Sequence, residues 1–147
     1  MKYGIFTKAR QVEKIVNYLN KFTDIDYVIS TDKKEIKLFD FDIGISYCFP
    51  YVIDVKKDGR SWYNYHPAPL PEYSGSSNYI NAIKDEVKKY GVTLHKMTNE
   101  VDKGEIIKKI EFNLDSKPCN VDELGSISHY YLFQLFKATI KSLGDKL

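Results

Sequence analysis

Short apolar runs alternate with segments of helical periodicity along this chain, and this alternation restricts its fold more than any other feature. Residues 2–6 have the character of a short strand, and the segment after them repeats apolar side chains at helical spacing. A second strand is predicted over residues 26–30, which completes a β–α–β unit. Residues 43–47 are apolar around a single serine, as in a central strand buried on both faces. The apolar positions of the first helix are Val12, Ile15, Val16, Leu19 and Phe22.

The rest of the chain continues the pattern. Residues 61–65 are predicted to form a strand that runs into a proline-rich loop, and residues 92–97 and 106–112 are predicted to form two more. Residues 56–60 are charged and contain a glycine, which indicates a turn. Strands alternating with helices predict an α/β domain with a largely parallel sheet.

Two helices are predicted in this second half. The first covers residues 79–90, with Ser76 or Ser77 as its N-cap and Gly91 at its end. The second begins with a capping box at Asn120 and carries an apolar stripe. Its aromatic side chains are compatible with a homodimer contact and equally with a buried core helix: Tyr130, Tyr131, Phe133 and Phe136.

Size and charge narrow the class of protein. The 147 residues fit a single domain, residues 1–147, that can bury a core of its own. The 22 basic and 20 acidic side chains are mixed along the chain without a long basic block, so no nucleic-acid partner is indicated.

The apolar part of the N-terminus is too short for a membrane span or signal peptide, which predicts a cytoplasmic protein without membrane contact. Cys48 and Cys119 lack a second pair at metal-ligand spacing, so we expect two free thiols and no metal.

The first candidates for chemistry are Asn64 and His66, at the end of a predicted strand. Strand ends border the ligand crevices of open α/β sheets. The two residues are separated by one position, so a continuing strand directs both side chains to the same side. Taken alone, a histidine before a proline is more often a structural residue of a turn.

A second candidate is Asp102, which lies between two predicted strands. In the sequence Asp102-Lys103-Gly104, a tight turn explains the aspartate and the glycine without any catalytic role. His95 on the preceding strand is expected to be a structural residue that faces a neighbour.

Together the two stretches resemble the folate-dependent formyltransferase family, which includes methionyl-tRNA formyltransferase, glycinamide ribonucleotide transformylase and sugar N-formyltransferases. Residues 64–75 resemble its Asn-x-His loop with a later Leu-Pro and Gly. Residues 91–95 and 101–107 resemble its Gly-x-Thr-x-His and Asp-x-Gly-x-Ile signature. The resemblance covers about residues 42–112 and implies a Rossmann-like α/β fold in an abbreviated form, with a mostly parallel sheet and helices on both faces.

The resemblance further implies that Asn64, His66 and Asp102 are the catalytic trio. Asn64 and protonated His66 would donate hydrogen bonds to the oxygen of a tetrahedral intermediate. Asp102 would orient His66 and assist proton transfer from the amine to the departing folate nitrogen. The implied co-substrate is 10-formyltetrahydrofolate. Its pterin is expected against two loops, although some of these residues are equally compatible with simple core: Tyr47, Phe49, Pro50, Val52, Met97 and Val101.

The acceptor is expected to be a primary amine of a small molecule, with a nucleotide-linked amino sugar as the leading candidate. Residues 7–10 pass directly into the first helix, so no glycine-rich phosphate cradle is visible. No segment after the last helix suggests a tRNA-binding domain. Two alternatives stay open: a formyltetrahydrofolate hydrolase, in which water replaces the amine, and a non-catalytic ligand-binding remnant of the fold.

Overall fold

One six-stranded sheet organises the chain. The computed structural model describes residues 1–75, 78–114 and 120–146. The strands are β1 (Lys2–Thr7), β2 (Asp26–Ser30), β3 (Ile43–Tyr47), β4 (Ser61–His66), β5 (Lys89–Lys96) and β6 (Ile106–Asn113). Their order is β2-β1-β3-β4-β5-β6, with β1 to β4 parallel and β5 and β6 antiparallel to their neighbours. The predicted α/β class with a mostly parallel sheet is therefore confirmed.

The two faces of the sheet are covered differently. One face carries the larger core, where Tyr18 packs against Phe133 and Phe136. The other face carries a smaller cluster around Phe6 and Trp62, covered by short helical segments. The helices of the first face are α1 (Ala9–Phe22), α3 (Asn78–Lys84) and α4 (Val121–Thr139), and those of the second are a 3-10 turn (Lys33–Ile36) and α2 (Val55–Asp58). A 3-10 segment, Ile140–Lys146, follows α4.

Alternation along β3 shows how the sequence separates these two faces. Ile43, Ile45 and Tyr47 enter the larger core. Gly44 faces the other way, and a Cβ there would overlap the indole of Trp62. The glycine therefore makes room for the largest side chain of the smaller cluster, and the next residue on this face, Ser46, begins the polar region described below.

The helix predicted over residues 79–90 is wrong in its second half. Helix α3 ends at Lys84, and Tyr90 and Gly91 belong to β5. The cause is Glu86, which adopts a left-handed φ of 55°. The N–H groups of Glu86 and Val87 then bond back to the carbonyls of Ile83 and Ala82, in the pattern of a Schellman cap. Such a cap usually uses glycine, so the sequence carried no signal for it.

Two smaller predictions have different outcomes. Asn120 caps α4 as expected, since its side chain accepts the Glu123 N–H at 2.9 Å. The charged turn predicted at residues 56–60 overlaps the single helical turn α2, which begins at Val55 and ends before Gly59, whose φ is 84°. Cys48 is a free thiol. Cys119 and the suggested caps Ser76 and Ser77 lie outside the described residues.

Most apolar side chains of the last helix pack into the larger core, where Leu132, Leu135 and Phe136 are fully buried. Tyr130 is 61% exposed. A homodimer contact through it stays a prediction. No helix within the described ranges is long and apolar enough to cross a membrane.

Candidate active site

The carboxyl end of β4 brings polar side chains onto the face of the smaller cluster. Asn64 and His66 point to this side, as their spacing predicts, while Tyr65 between them enters the larger core. The strand register aligns Asn64 with Ser46 of β3 on one side and with His95 of β5 on the other. The result is a polar row across three adjacent strands.

A cavity of about 340 Å³ opens over this row. Its walls are residues 48–53, which follow β3, and residues 97–102, which follow β5. Asn99 joins the two walls, because its side chain donates to Asp54 Oδ1 at 3.0 Å and accepts the Lys56 N–H at 3.1 Å. Five of the side chains predicted to contact the pterin line the cavity: Phe49, Pro50, Val52, Met97 and Val101.

Tyr47, the sixth of these residues, lies elsewhere and corrects that expectation. Its side chain is 0% exposed and packs against Tyr65 and Phe136 in the larger core. The reason is strand alternation: Ser46 faces the cavity, so its neighbour in β3 faces the opposite side.

The ring of His66 is held by the backbone. Its Nε2 lies 3.0 Å from the carbonyl oxygen of Tyr73, and because a carbonyl can only accept, Nε2 carries a hydrogen. Its Nδ1 lies 3.7 Å from Asp102 Oδ1. Nδ1 is thus the nitrogen of His66 that can gain or lose a proton beside Asp102.

Asp102 is fixed by an unusual turn. Its φ is 58°, in the left-handed region, and its Oδ2 accepts the Gly75 N–H at 2.8 Å. The side chain is 6% exposed. Two residues further, a Cβ at Gly104 would overlap the carbonyl oxygen of Lys96. The glycine therefore lets the turn cross the end of β5, and the turn directs the carboxylate into the cavity.

The structure also brings in His95, for which a structural role was the favoured expectation. His95 Nε2 lies 3.1 Å from Asn64 Nδ2 and 3.8 Å from Asp102 Oδ1. Burial lowers the pKa of His95, and His66 adds to this effect, against the opposing influence of the Lys96 carbonyl and Asp102. The Gly-x-Thr-x-His spacing was the available signal, but only the register between β4 and β5 reveals what the ring contacts.

These groups form a site with complementary abilities. Asn64 can donate to a developing negative oxygen, and His66 with Asp102 can hold and pass a proton. Such a set suits the addition of a nucleophile to a carbonyl group. Among the described residues, no group of three potential metal ligands is assembled.

A second polar region lies on the opposite face of the sheet, between α1, β3 and α4. Lys14 Nζ is 5.8 Å from the centroid of the Tyr47 ring. Burial lowers the pKa of His129 to about 4, and nearby positive charges add to the effect. The basic cluster consists of His129 and the three side chains that supply those charges, Lys8, Arg10 and Lys14.

Buried polar atoms near the basic cluster lack partners. In the described part of the chain, Gln11 Oε1, Tyr47 OH and His129 Nδ1 have no hydrogen bond. Buried groups of this kind are rare in folded proteins. Ser128 of α4 donates to the carbonyl of Pro67, which links this region to the loop after β4. The basic cluster thus combines positive charge with buried polar atoms that have no hydrogen-bond partner.

Comparison with known proteins agrees with this geometry. Residues 55–124 match the model of a family described as formyl transferase. A methionyl-tRNA formyltransferase of Thermotoga neapolitana is 41% identical over 64 residues, which are 44% of this chain and 20% of that protein. The chain thus matches only a fifth of that relative's length.

Solved structures extend the likeness to nearly the whole fold. An N-formyltransferase from Helicobacter canadensis, in complex with folinic acid and dTDP-3-aminofucose, has a TM-score of 0.79 at 19% identity, over 99% of this chain and 64% of that chain. A phosphoribosylglycinamide formyltransferase from Campylobacter jejuni has a TM-score of 0.75 at 16% identity, over 97% of both chains. The chain thus shares its fold with these proteins, and the segment that is similar to the formyl transferase family contains Asn64, His66 and Asp102.

Proposed function

We propose that this chain transfers a formyl group from 10-formyltetrahydrofolate to a primary amine of a small molecule, with a nucleotide-linked amino sugar as acceptor. The observation that carries the proposal is the convergence of Asn64, His66 and Asp102 on one cavity. A single amide or a single imidazole in a cavity would not indicate formyl transfer. Their joint placement supplies what acyl transfer requires, a donor for the oxyanion and a route for the proton.

The reaction begins when the amine nitrogen attacks the formyl carbon. A C–N bond forms, and the former carbonyl oxygen becomes negative and accepts an N–H from Asn64. The attacking nitrogen gives up a proton to the pair formed by His66 Nδ1 and Asp102, which are 3.7 Å apart. The bond to the folate nitrogen then breaks, and that nitrogen takes the proton, so no proton is gained or lost overall.

The cavity over the polar row suits the folate. Its apolar lining, including Phe49 and Met97, can contact the faces of a flat ring, and exposed backbone groups of the two walls can bond to the ring edge. The Asn99 bridge keeps the two walls at a fixed separation. Folinic acid in the Helicobacter canadensis protein supports this assignment.

The basic cluster supports an anionic acceptor. Lys14 and Arg10 lie on successive turns of α1, and His129 faces them from α4. A phosphate between them would gain charge-assisted hydrogen bonds and could satisfy buried atoms that lack partners. In this proposal the cluster takes the role of a glycine-rich phosphate loop, since residues 7–10 pass directly into α1. The dTDP-sugar of the Helicobacter canadensis protein is a ligand of this chemical class.

A folate-consumption assay tests the proposal. The purified chain is incubated with 10-formyltetrahydrofolate, alone and with nucleotide-linked amino sugars, free amino sugars and aminoribonucleotides. Consumption that depends on an amine, together with a formylated product in the mass spectrum, is the expected result. Consumption without any amine identifies a hydrolase instead, and the absence of folate binding refutes both enzymatic functions.

A further inference from the structure

His95 is held in one tautomer. Its side chain is 3% exposed, and Nδ1 lies 3.0 Å from the carbonyl oxygen of Lys96. A carbonyl only accepts, so Nδ1 carries the hydrogen. In the neutral ring, which burial favours by lowering the pKa, Nε2 therefore has a free lone pair. This nitrogen accepts the Asn64 Nδ2–H at 3.1 Å.

The Lys96 carbonyl that accepts the His95 Nδ1–H is held in place by the surrounding backbone. Lys96 donates its own N–H to the Glu105 carbonyl at 2.8 Å, at the start of the pairing between β5 and β6. Gly104 lies so close to the Lys96 carbonyl that a Cβ there would overlap it. The acceptor for His95 Nδ1 is thus part of the rigid end of the sheet.

The tautomer of His95 determines which way the Asn64 amide faces. If the amide were reversed, its oxygen would meet the lone pair of Nε2, and two acceptors would repel each other. With Nδ2 toward His95, one hydrogen is bound to the ring and the second stays available. Among the described residues, Asn64 has no other hydrogen bond, so this second N–H is free to serve the cavity.

We propose that neutral His95 is a positioning residue, which holds Asn64 as a hydrogen-bond donor toward the reacting oxygen and releases it when Nε2 gains a proton. The inference rests on the proposed formyl transfer. A protonated Nε2 becomes a donor, so the Asn64 amide turns its oxygen to the ring and withdraws its N–H from the cavity. Activity is then lost on the acid side because of His95, which acts through the orientation of Asn64.

The groups around His95 determine how readily its Nε2 gains a proton. Asp102, from the loop after β5, lies 3.8 Å from Nε2 and favours the protonated ring, whereas His66 from β4 opposes it. Glu100 lines the rim of the same cavity. From β6, the residue paired with His95 is Ile106, which carries no charge. The burial of the ring acts against protonation and is the largest influence.

The tautomer can be measured without any assay of activity. The chain has three histidines, so long-range ¹H–¹⁵N correlation spectra give three ring systems, assignable with single His→Gln variants. We expect His95 to be neutral at pH 7 with its hydrogen on Nδ1, the less common tautomer of free histidine. A hydrogen on Nε2, or a charged ring at pH 7, overturns the inference even if the chain transfers formyl groups.

Kinetics test the consequence for Asn64. His95→Gln places an amide oxygen near the position of Nε2 and does not titrate, so we expect kcat to stay within about threefold and the acid limb of its pH profile to move to lower pH. His95→Leu removes the acceptor, and we expect kcat to fall by about 10- to 100-fold with an unchanged KM for the folate. Tyr65→Phe, which deletes a buried hydrogen bond to Thr139 on the opposite face, controls for general loss of stability.

Two kinetic outcomes also overturn the inference: an acid limb identical in His95→Gln and wild type, or wild-type kcat in folded His95→Leu. If His95→Leu does not fold, the profile of His95→Gln decides. If the wild-type chain transfers no formyl group at all, the proposed function fails, while the spectra still judge the placement of the hydrogen.

Discussion

The carboxylate of Asp102 offers the sharpest test of the proposed catalytic site, through the variant Asp102→Asn. The asparagine can keep one oxygen toward the Gly75 N–H, which Asp102 accepts at 2.8 Å in the wild type. It also has nearly the same volume, so the turn and the cavity should persist. What disappears is the negative charge 3.7 Å from His66 Nδ1.

The size of the loss follows from that distance. When His66 holds the transferred proton, a unit charge pair at 3.7 Å is worth roughly 4 kcal/mol at an effective dielectric constant of ~20 and roughly 1 kcal/mol in a water-like medium. These limits correspond to about a thousandfold and about fivefold in rate. Asp102 is only 6% exposed, so screening by water is weak. We therefore expect a loss of about two orders of magnitude in kcat, in the range typical of a lost proton-transfer partner.

The measurement is a single-turnover rate with saturating folate and amine, accompanied by a thermal melt. Asp42→Asn is the matched control, because Asp42 accepts a backbone N–H from Lys2 at 2.7 Å at the opposite end of the sheet. The control should react at the wild-type rate. A folded Asp102→Asn variant that also reacts within threefold of wild type would refute the role of the carboxylate.

Three further changes test other parts of the molecule. Gly104→Ala forces a Cβ into the carbonyl of Lys96, so the thermal melt should show a loss of roughly 1–3 kcal/mol in unfolding free energy, and kcat should fall as the turn moves. Lys14→Met should raise the KM for a nucleotide-linked acceptor about tenfold, as for one lost charge-assisted bond, with the KM for folate unchanged in the same steady-state assay. Burial acts to raise the pKa of Asp58, but hydrogen bonds from Arg60 and Trp62 outweigh this effect and leave the pKa lowered. The stability that Asp58 contributes is therefore complete above the ordinary aspartate range near pH ~4 and is lost as the pH falls below it. The difference in urea unfolding between wild type and Asp58→Asn should shrink over that interval, and a constant difference would contradict the assignment.

The local sequence pattern was enough to predict those features that depend on residues close together in the chain. The apolar run of β3 and the helical spacing of α1 follow from burial on a strand and on one helix face. The common side of Asn64 and His66 follows from the period of two in a strand. The same period could have excluded Tyr47 from the cavity, since Ser46 and Tyr47 face opposite sides of the sheet.

Features that depend on long-range register or on uncommon backbone angles could not be predicted. His95 and Asn64 are 31 positions apart, and only the pairing of β4 with β5 sets them opposite each other. The end of α3 depends on a left-handed Glu86, a conformation that glycine would have signalled and glutamate does not. In both cases the neighbouring residues in the sequence do not indicate the structure that forms.

The turn at Asp102-Lys103-Gly104 illustrates why structural and catalytic explanations of a motif need not compete. In sequence, the aspartate and the glycine are explained fully by a tight turn. In the fold, the left-handed φ of Asp102 and the close approach of Gly104 to the Lys96 carbonyl are the means by which the carboxylate reaches His66. That same carbonyl fixes the ring of His95. One backbone arrangement thus positions the carboxylate directly and Asn64 indirectly, so a substitution that relaxes the turn should impair both groups together.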